Sequence, residues 1–235
     1  MHTVPTSESH TAPAVAMLLA DSRLPSGAHV CSNTLEAALR AGMPPSDVPR
    51  YLQTRMRTVT RVEAGTAVVA RALVRSASDP DEVPDALRTV DAAWAARTPS
   101  RALREIGRSL GAGLTRLARS VWPESGPLAV MPSRGLARPV VLGAIAGATG
   151  LGAVELARLV AYDDAQTVAA ATLKLEPLEP ALASRWVLDA CARFEPFVER
   201  IAPLDDPAAI PAAGAPQIEG WAEAHASTTR RLFRA

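Results

Sequence analysis

TPSRALREIGRSLGAGLTRLARSV, residues 98–121, is the stretch that decides the fold. Thr98 and Pro99 open it with a capping hydroxyl and a proline suited to a first helical turn. Leu103, Ile106, Leu110, Leu114, Leu117 and Val121 then recur at steps of three and four, the spacing of one helix face. Arg101, Arg104, Arg108, Arg116 and Arg119 occupy the other faces. The pattern predicts an amphipathic helix with its leucine stripe in the core and a solvated basic surface, which also suits protein binding. Gly107, Gly111 and Gly113 each cost such a helix roughly 1 kcal/mol relative to alanine. They make sense where another helix approaches closely.

Helical signals extend in both directions from this segment. Upstream, residues 14–20 read as a short apolar helix, and a second restarts near Ser32, where Ser32 or Asn33 can cap it, and runs to Gly42. Gly42-Met43-Pro44-Pro45 stops it. Ser46 is placed to cap one long helix to about Arg75, with Leu52, Met56 and Val59 on one face, and a short helix follows to about Ala96. Downstream of a Pro/Gly-rich connection (122–136) come two alanine-rich helices, about 138–148 and 152–175. Small side chains such as Ala169, Ala170 and Ala171 permit close interhelical contact. Pro177-Leu178-Glu179-Pro180 breaks the chain again before a helix to about Phe194.

Residues 202–217, APLDDPAAIPAAGAPQ, read as a flexible strap with little to pack. In the last segment Ile218, Trp221, His225, Thr228 and Leu232 share a helical face, and Arg230, Arg231 and Arg234 suit the helix C-terminus. Such a tail either docks on its own body or is ordered by a partner. Hydrophobic residues make up 48% of the 235, yet aromatics only 4%, so the apolar content is largely alanine and leucine and favours helices over a sheet. The expected fold is all-α: a single-domain bundle of roughly eight to ten helices with a Pro/Ala-linked helical tail. Its parts are a flexible segment (1–13), a helical domain (14–201), the strap (202–217) and the tail (218–235).

The 25 basic and 24 acidic residues nearly cancel, so the net charge of +1 gives no general attraction to nucleic acid or anionic membrane. All but one of the basic residues are arginine; the exception is Lys174. Residues 1–13 lack the basic start of a signal peptide, and no apolar run reaches the ~18 residues of a membrane span. The chain reads as cytoplasmic. Cys31 and Cys191 make neither a disulfide framework nor a four-ligand zinc site. His29 and Cys31 are of the type to hold a soft metal such as nickel or zinc, but two ligands on a turn form only a weak site. Asp163 and Asp164 lack a third ligand. No nucleophile elbow, Walker loop or H-E-x-x-H occurs, which argues against an enzyme. A helical DNA-binding regulator is the competing class; balanced charge and an N-terminal corner poor in base-reading residues argue against it.

The N-terminal corner, LLADSRLPSGAHVCSNTLE (18–36), carries more than local chemistry. Its order of Asp21, Ser22, Leu24, Pro25, Gly27, Ser32, Leu35 and Glu36 resembles the signature of the UreF family of urease accessory proteins, roughly L-x-D-S-x-L-P-x-G-x-F-x-x-S-x-G-L-E. Further segments match in order. Arg108, Gly111, Leu114, Arg116 and Leu117 resemble S-R-x-x-G-x-x-L-x-R-L. Residues from Pro139-Val140-Val141 to Gly150-Leu151 resemble P-V-V-x-G…G-L, and Lys174-Leu175 with Pro177-Leu178 resembles K-L-x-P-L. His225 with Arg231-Leu232-Phe233-Arg234 resembles H-E-x-x-x-x-R-L-F-R-S. Departures include His29 for an aromatic, Cys31 for Tyr or His, Thr34 for Gly, Gly107 for Ser, Ala226 for Glu, and Glu179-Pro180 for Gly-Gln.

The resemblance implies an all-helical protein without catalysis of its own or a tightly bound cofactor. It implies a homodimer that binds a UreD/UreH-like accessory protein, recruits a UreG-like GTPase, and acts on apo-urease, with nickel handled by the complex. On that footing Arg158 and Tyr162 are candidates for the homodimer contact, and Lys174 for the GTPase or urease side. His225, Arg231, Leu232, Phe233 and Arg234 are candidates for the tail that orders on the UreD-like partner.

Overall fold

A computed structural model describes residues 11–21, 23–24, 31–228 and 232–233, and among these it holds eleven α-helices and no strand. They are α1 (Ala12–Ala20), α2 (Leu35–Arg40), α3 (Val48–Arg57), α4 (Val59–Ser76), α5 (Val83–Ala96), α6 (Arg101–Val121), α7 (Gly126–Val130), α8 (Arg138–Thr149), α9 (Ala153–Leu175), α10 (Pro180–Ile201) and α11 (Pro216–Ala226). The bundle centres on α4, packed against α8 and α9, with α10 lying along α9 and α6 along α8. Val68, Ile145, Leu156, Val168 and Phe194 belong to one continuous core. Small residues set the spacing: a Cβ on Gly143 would lie 2.6 Å from the Cβ of Ala70. The α4–α8 crossing is therefore closer than ordinary side chains allow.

Four departures from the sequence reading bear on the site; besides them, α7 forms inside the 122–136 connection, and α10 continues through Pro196 to Ile201 instead of ending near Phe194. The helix expected from Ser46 to Arg75 is two helices, because Thr58 leaves helical backbone (φ −123°, ψ −95°) and its hydroxyl donates to the Thr54 carbonyl at 2.7 Å. Neither glycine nor proline marks that break. The start of α6 is set by Ser100 rather than Thr98. The Ser100 hydroxyl accepts from the Leu103 amide at 3.2 Å, and the carboxylate of Glu223 on α11 accepts from Ser100 Oγ at 2.6 Å and from the Ala102 amide at 3.0 Å.

The third departure is the face that α6 buries. Ala102, Gly107, Gly111, Leu114, Thr115 and Ala118 are buried, whereas Leu103, Ile106, Leu110, Leu117 and Val121 are only half-buried. A Cβ on Gly111 would overlap the Leu136 carbonyl and lie 3.0 Å from the Arg138 amide; one on Gly107 would meet the Trp94 ring at 2.9 Å. The glycines thus mark the core side of the helix, where the chain entering α8 crosses at backbone distance. The basic face is largely engaged within the chain: Arg101 pairs with Glu105, Arg104 donates to the Thr98 and Pro99 carbonyls, and Arg108 pairs with Asp91.

Fourth, the strap packs. Ile210 and Ala215 are buried, Arg97 donates to the carbonyls of Ile210 (2.8 Å) and Ala208 (2.9 Å), and Pro211 seats over Gly65. The proline-rich composition lowers helix propensity without preventing burial. Among the described residues no helix is long and apolar enough to cross a membrane.

Candidate functional site

The first helical corner and the C-terminal tail, nearly two hundred positions apart in sequence, meet at Glu36. Glu36 lies in the first turn of α2, its amide donating to Ser32 Oγ at 3.3 Å, and is 1% exposed. Its two carboxylate oxygens accept from consecutive tail amides, Leu232 at 2.8 Å and Phe233 at 2.9 Å, and Arg40 pairs with it at 2.9 Å. A buried carboxylate is tolerated only when its oxygens are so occupied.

His225, buried in the last turn of α11, places Nε2 3.2 Å from the Phe233 carbonyl and 3.9 Å from Glu36. Phe233 is buried, and the Lys174 ammonium of α9 stands 5.3 Å from its ring centroid, a cation–π distance. The ring borders a cavity of about 210 Å³ lined also by Leu19, Leu24, Cys31, Ala170 and Lys174. The structure thus brings Glu36, Lys174, His225 and Phe233 together, with Ser32 and Leu35 supporting the corner. Leu232 does not share the helical face expected of it, because α11 ends at Ala226; instead it is 62% exposed. Of the expected face, Ile218 is buried, and Trp221 stands 6.0 Å from the Tyr51 ring.

A second cluster, of charged groups, lies beneath the half-buried leucines of α6. Asp164 is held by Arg55 (Nη2, 2.6 Å), Asn33 (Nδ2, 2.5 Å) and the Thr60 hydroxyl, and Asp163 pairs with Arg138 at 2.9 Å. Burial opposes the Arg55 charge, but Asp164 outweighs it and leaves the guanidinium above its usual pKa. Burial likewise raises the Asp163 carboxyl against the pull of Arg138. Glu63 of α4 has no such partner, and burial together with Asp164 lifts it from 4.5 to about 7. These groups line a cavity of about 70 Å³ with Leu103, Ile106, Leu110 and Trp94, whose buried indole N–H has no hydrogen-bond partner. Asp163 and Asp164 are thus structural ion-pair members, and no group of three metal-ligating side chains occurs among the described residues.

Sequence reasoning missed Arg55, Glu63, Arg138 and Glu223, since nothing local marks residues that meet only in three dimensions. Asn33 and Thr34 adopt left-handed backbone (φ 50° and 71°), which explains why glycine suits the Thr34 position in the family pattern. Arg158 and Tyr162 share a face of α9 away from the tail. Arg158 is half-exposed and clasps Glu195 of α10 through Nε (3.1 Å) and Nη2, while Tyr162 is 38% exposed. Asp21 pairs with Arg23 at the surface. Ser22, Pro25, Gly27, His29, Arg231 and Arg234 lie outside the described residues; of the expected His29–Cys31 pair, Cys31 is buried.

Comparison with known proteins places this geometry in context. The UreF family profile matches residues 44–191. The urease accessory protein UreF of Mycobacterium tuberculosis (strain H37Ra) is 40% identical over 173 residues, 73% of this chain and 76% of that protein. The UreF of Mycobacterium marinum is 34% identical over 226 residues, 94% of this chain and 97% of the relative. That of Mycobacterium sp. strain JLS is 32% identical over 225 residues, covering 92% and 96%. An all-helical chain, matched by the family profile across its central helices and by these relatives over most of its length, belongs to the UreF family of urease accessory proteins.

Proposed function

We propose that this chain is a non-catalytic component of urease maturation. It dimerises through the α9 face bearing Arg158 and Tyr162, and it engages a UreD/UreH-like partner through the tail, which is seated on the α2 corner and beside Lys174. The complex recruits or regulates a UreG-like GTPase during nickel delivery to apo-urease, with nickel as cargo rather than resident cofactor. The observation that carries the reading is the convergence on Glu36. Two sequence segments shared with the family pattern, the L-E corner and the H…R-L-F tail, form one contact. Side chains with no catalytic arrangement but this degree of mutual fixation suit a protein that presents surfaces.

The test is a pull-down of a UreD-like partner by the full chain and by a chain lacking residues 229–235, with and without GTP and nickel. Loss of the partner on truncation, with unchanged far-UV helicity, is expected. Equal capture by both chains would remove the tail from the interface. This truncation spares Glu223, whose carboxylate caps α6, but it removes buried Phe233 and the two amides that satisfy Glu36, so unchanged far-UV helicity is the control that the bundle stands.

A further inference from the structure

The tail's seat has a division of labour that side-chain identity alone does not reveal. Leu232 and Phe233 donate their amides to the two oxygens of one buried carboxylate, and the Phe233 carbonyl faces His225 Nε2 at 3.2 Å. The backbone of this dipeptide is therefore fixed by groups on α2 and α11. Only one of its two side chains is used for docking: Phe233 is buried beside Lys174, whereas Leu232 is turned to solvent at 62% exposure. An exposed leucine on a free tail has many conformations to lose on binding; one on a clamped backbone has few.

We propose that Glu36 is a positioning residue, which clamps the tail so that Leu232 is presented as an apolar knob for the partner protein. The inference rests on the tail's proposed role in binding a UreD-like partner, and it adds which residue is offered and which residue holds it there. A carboxylate suits the task because two adjacent amides need two acceptor oxygens within reach of one side chain. Arg40, at 2.9 Å, holds the same carboxylate from the α2 side and keeps its charge compensated. Lys174 belongs on this account to the cradle of the tail, through Phe233, rather than to the surface that the partner touches.

The experiment compares the full chain with Glu36→Ala, Glu36→Gln and Leu232→Ser, by hydrogen exchange and by affinity for the UreD-like partner. Glu36→Ala should raise exchange of the Leu232 and Phe233 amides at least tenfold, leave α4 and α8 protected, and weaken the partner at least tenfold. Glu36→Gln, which keeps one carbonyl oxygen, should fall between. Leu232→Ser should weaken the partner as much while leaving the tail amides protected, a separation that a merely structural role would not produce. Unchanged tail exchange in Glu36→Ala overturns the clamp, as does freed exchange with partner affinity within twofold of the parent. Full affinity in Leu232→Ser overturns the knob. Should Glu36→Ala lose protection throughout the bundle, Glu36→Gln and Leu232→Ser decide by the same criteria. Full affinity in a chain lacking residues 229–235 would instead refute the tail's role in binding, a different failure from either of these.

Discussion

Replacing Glu63 with glutamine should make the protein more stable above neutral pH and leave it nearly unchanged in mild acid. Glu63 lines a small cavity shared with Asp163 and Asp164, and burial with Asp164 as neighbour lifts its carboxyl from 4.5 to about 7. Between those values the folded chain binds a proton that the unfolded chain has released. Stability linked to this group is therefore complete below pH 4.5, declines as pH rises, and is lost above 7. At 1.36 kcal/mol per pH unit the full swing is roughly 3 kcal/mol. Solvent reaching the half-buried carboxylate reduces it to ~1–3 kcal/mol. Glutamine keeps the shape and cannot ionise. Urea unfolding followed by far-UV circular dichroism, at pH 5, 6, 7 and 8, should show the two proteins converging at pH 5 and the variant ahead by ~1–3 kcal/mol at pH 8. Parallel curves across that range, or a variant that loses ground as pH rises, would refute the assignment of Glu63 as a destabilised buried carboxylate.

Other outcomes follow from the same geometry. Asp164→Ala should cost ~3–5 kcal/mol in chemical denaturation, because it strands the buried Arg55 guanidinium; Arg55→Met with Asp164→Leu should recover much of that loss. Gly111→Ala should cost at least ~1–3 kcal/mol, since its Cβ has no room beside the Leu136 carbonyl, whereas Ala substitution at Gly135, with open space around it but φ of 94°, should cost ~1 kcal/mol. Arg158→Ala with Tyr162→Ala should shift sedimentation equilibrium towards monomer while leaving far-UV helicity unchanged, as the Arg158–Glu195 pair is exposed to solvent; an unchanged mass places the dimer contact elsewhere. Lys174→Ala should loosen Phe233 and lower nickel loading of urease in a reconstituted assay, and normal loading would show that the tail's cradle does not need it.

Helix existence was legible in the sequence because periodicity and breakers act over a few residues. The face of α6 was not. Spacing of Leu103, Ile106, Leu110 and Leu117 identifies a helix, but which side packs depends on what crosses it, and here the crossing chain at Leu136 and Ala137 demands glycine. The small residues, read first as a cost, were the better guide. The Thr58 break carries no punctuating residue, so only tertiary packing reveals it. Of the candidate site, the family pattern marked Glu36, Lys174, His225, Leu232 and Phe233 one by one. That four of them converge, while Leu232 points away, is set by long-range contacts that no local pattern encodes. The cluster of Arg55, Glu63, Arg138, Asp163 and Asp164 is equally silent in sequence, being drawn from four helices.

The bond from Glu223 to the start of α6 has a temporal consequence. The Ala102 amide and Ser100 hydroxyl find this acceptor 121 and 123 positions downstream. A nascent chain accordingly carries α6 with its first turn lacking that partner until residue 223 has cleared the ribosome. Pulse proteolysis of released chains, ending before and after α11, would show the opening of α6 protected only in the longer one.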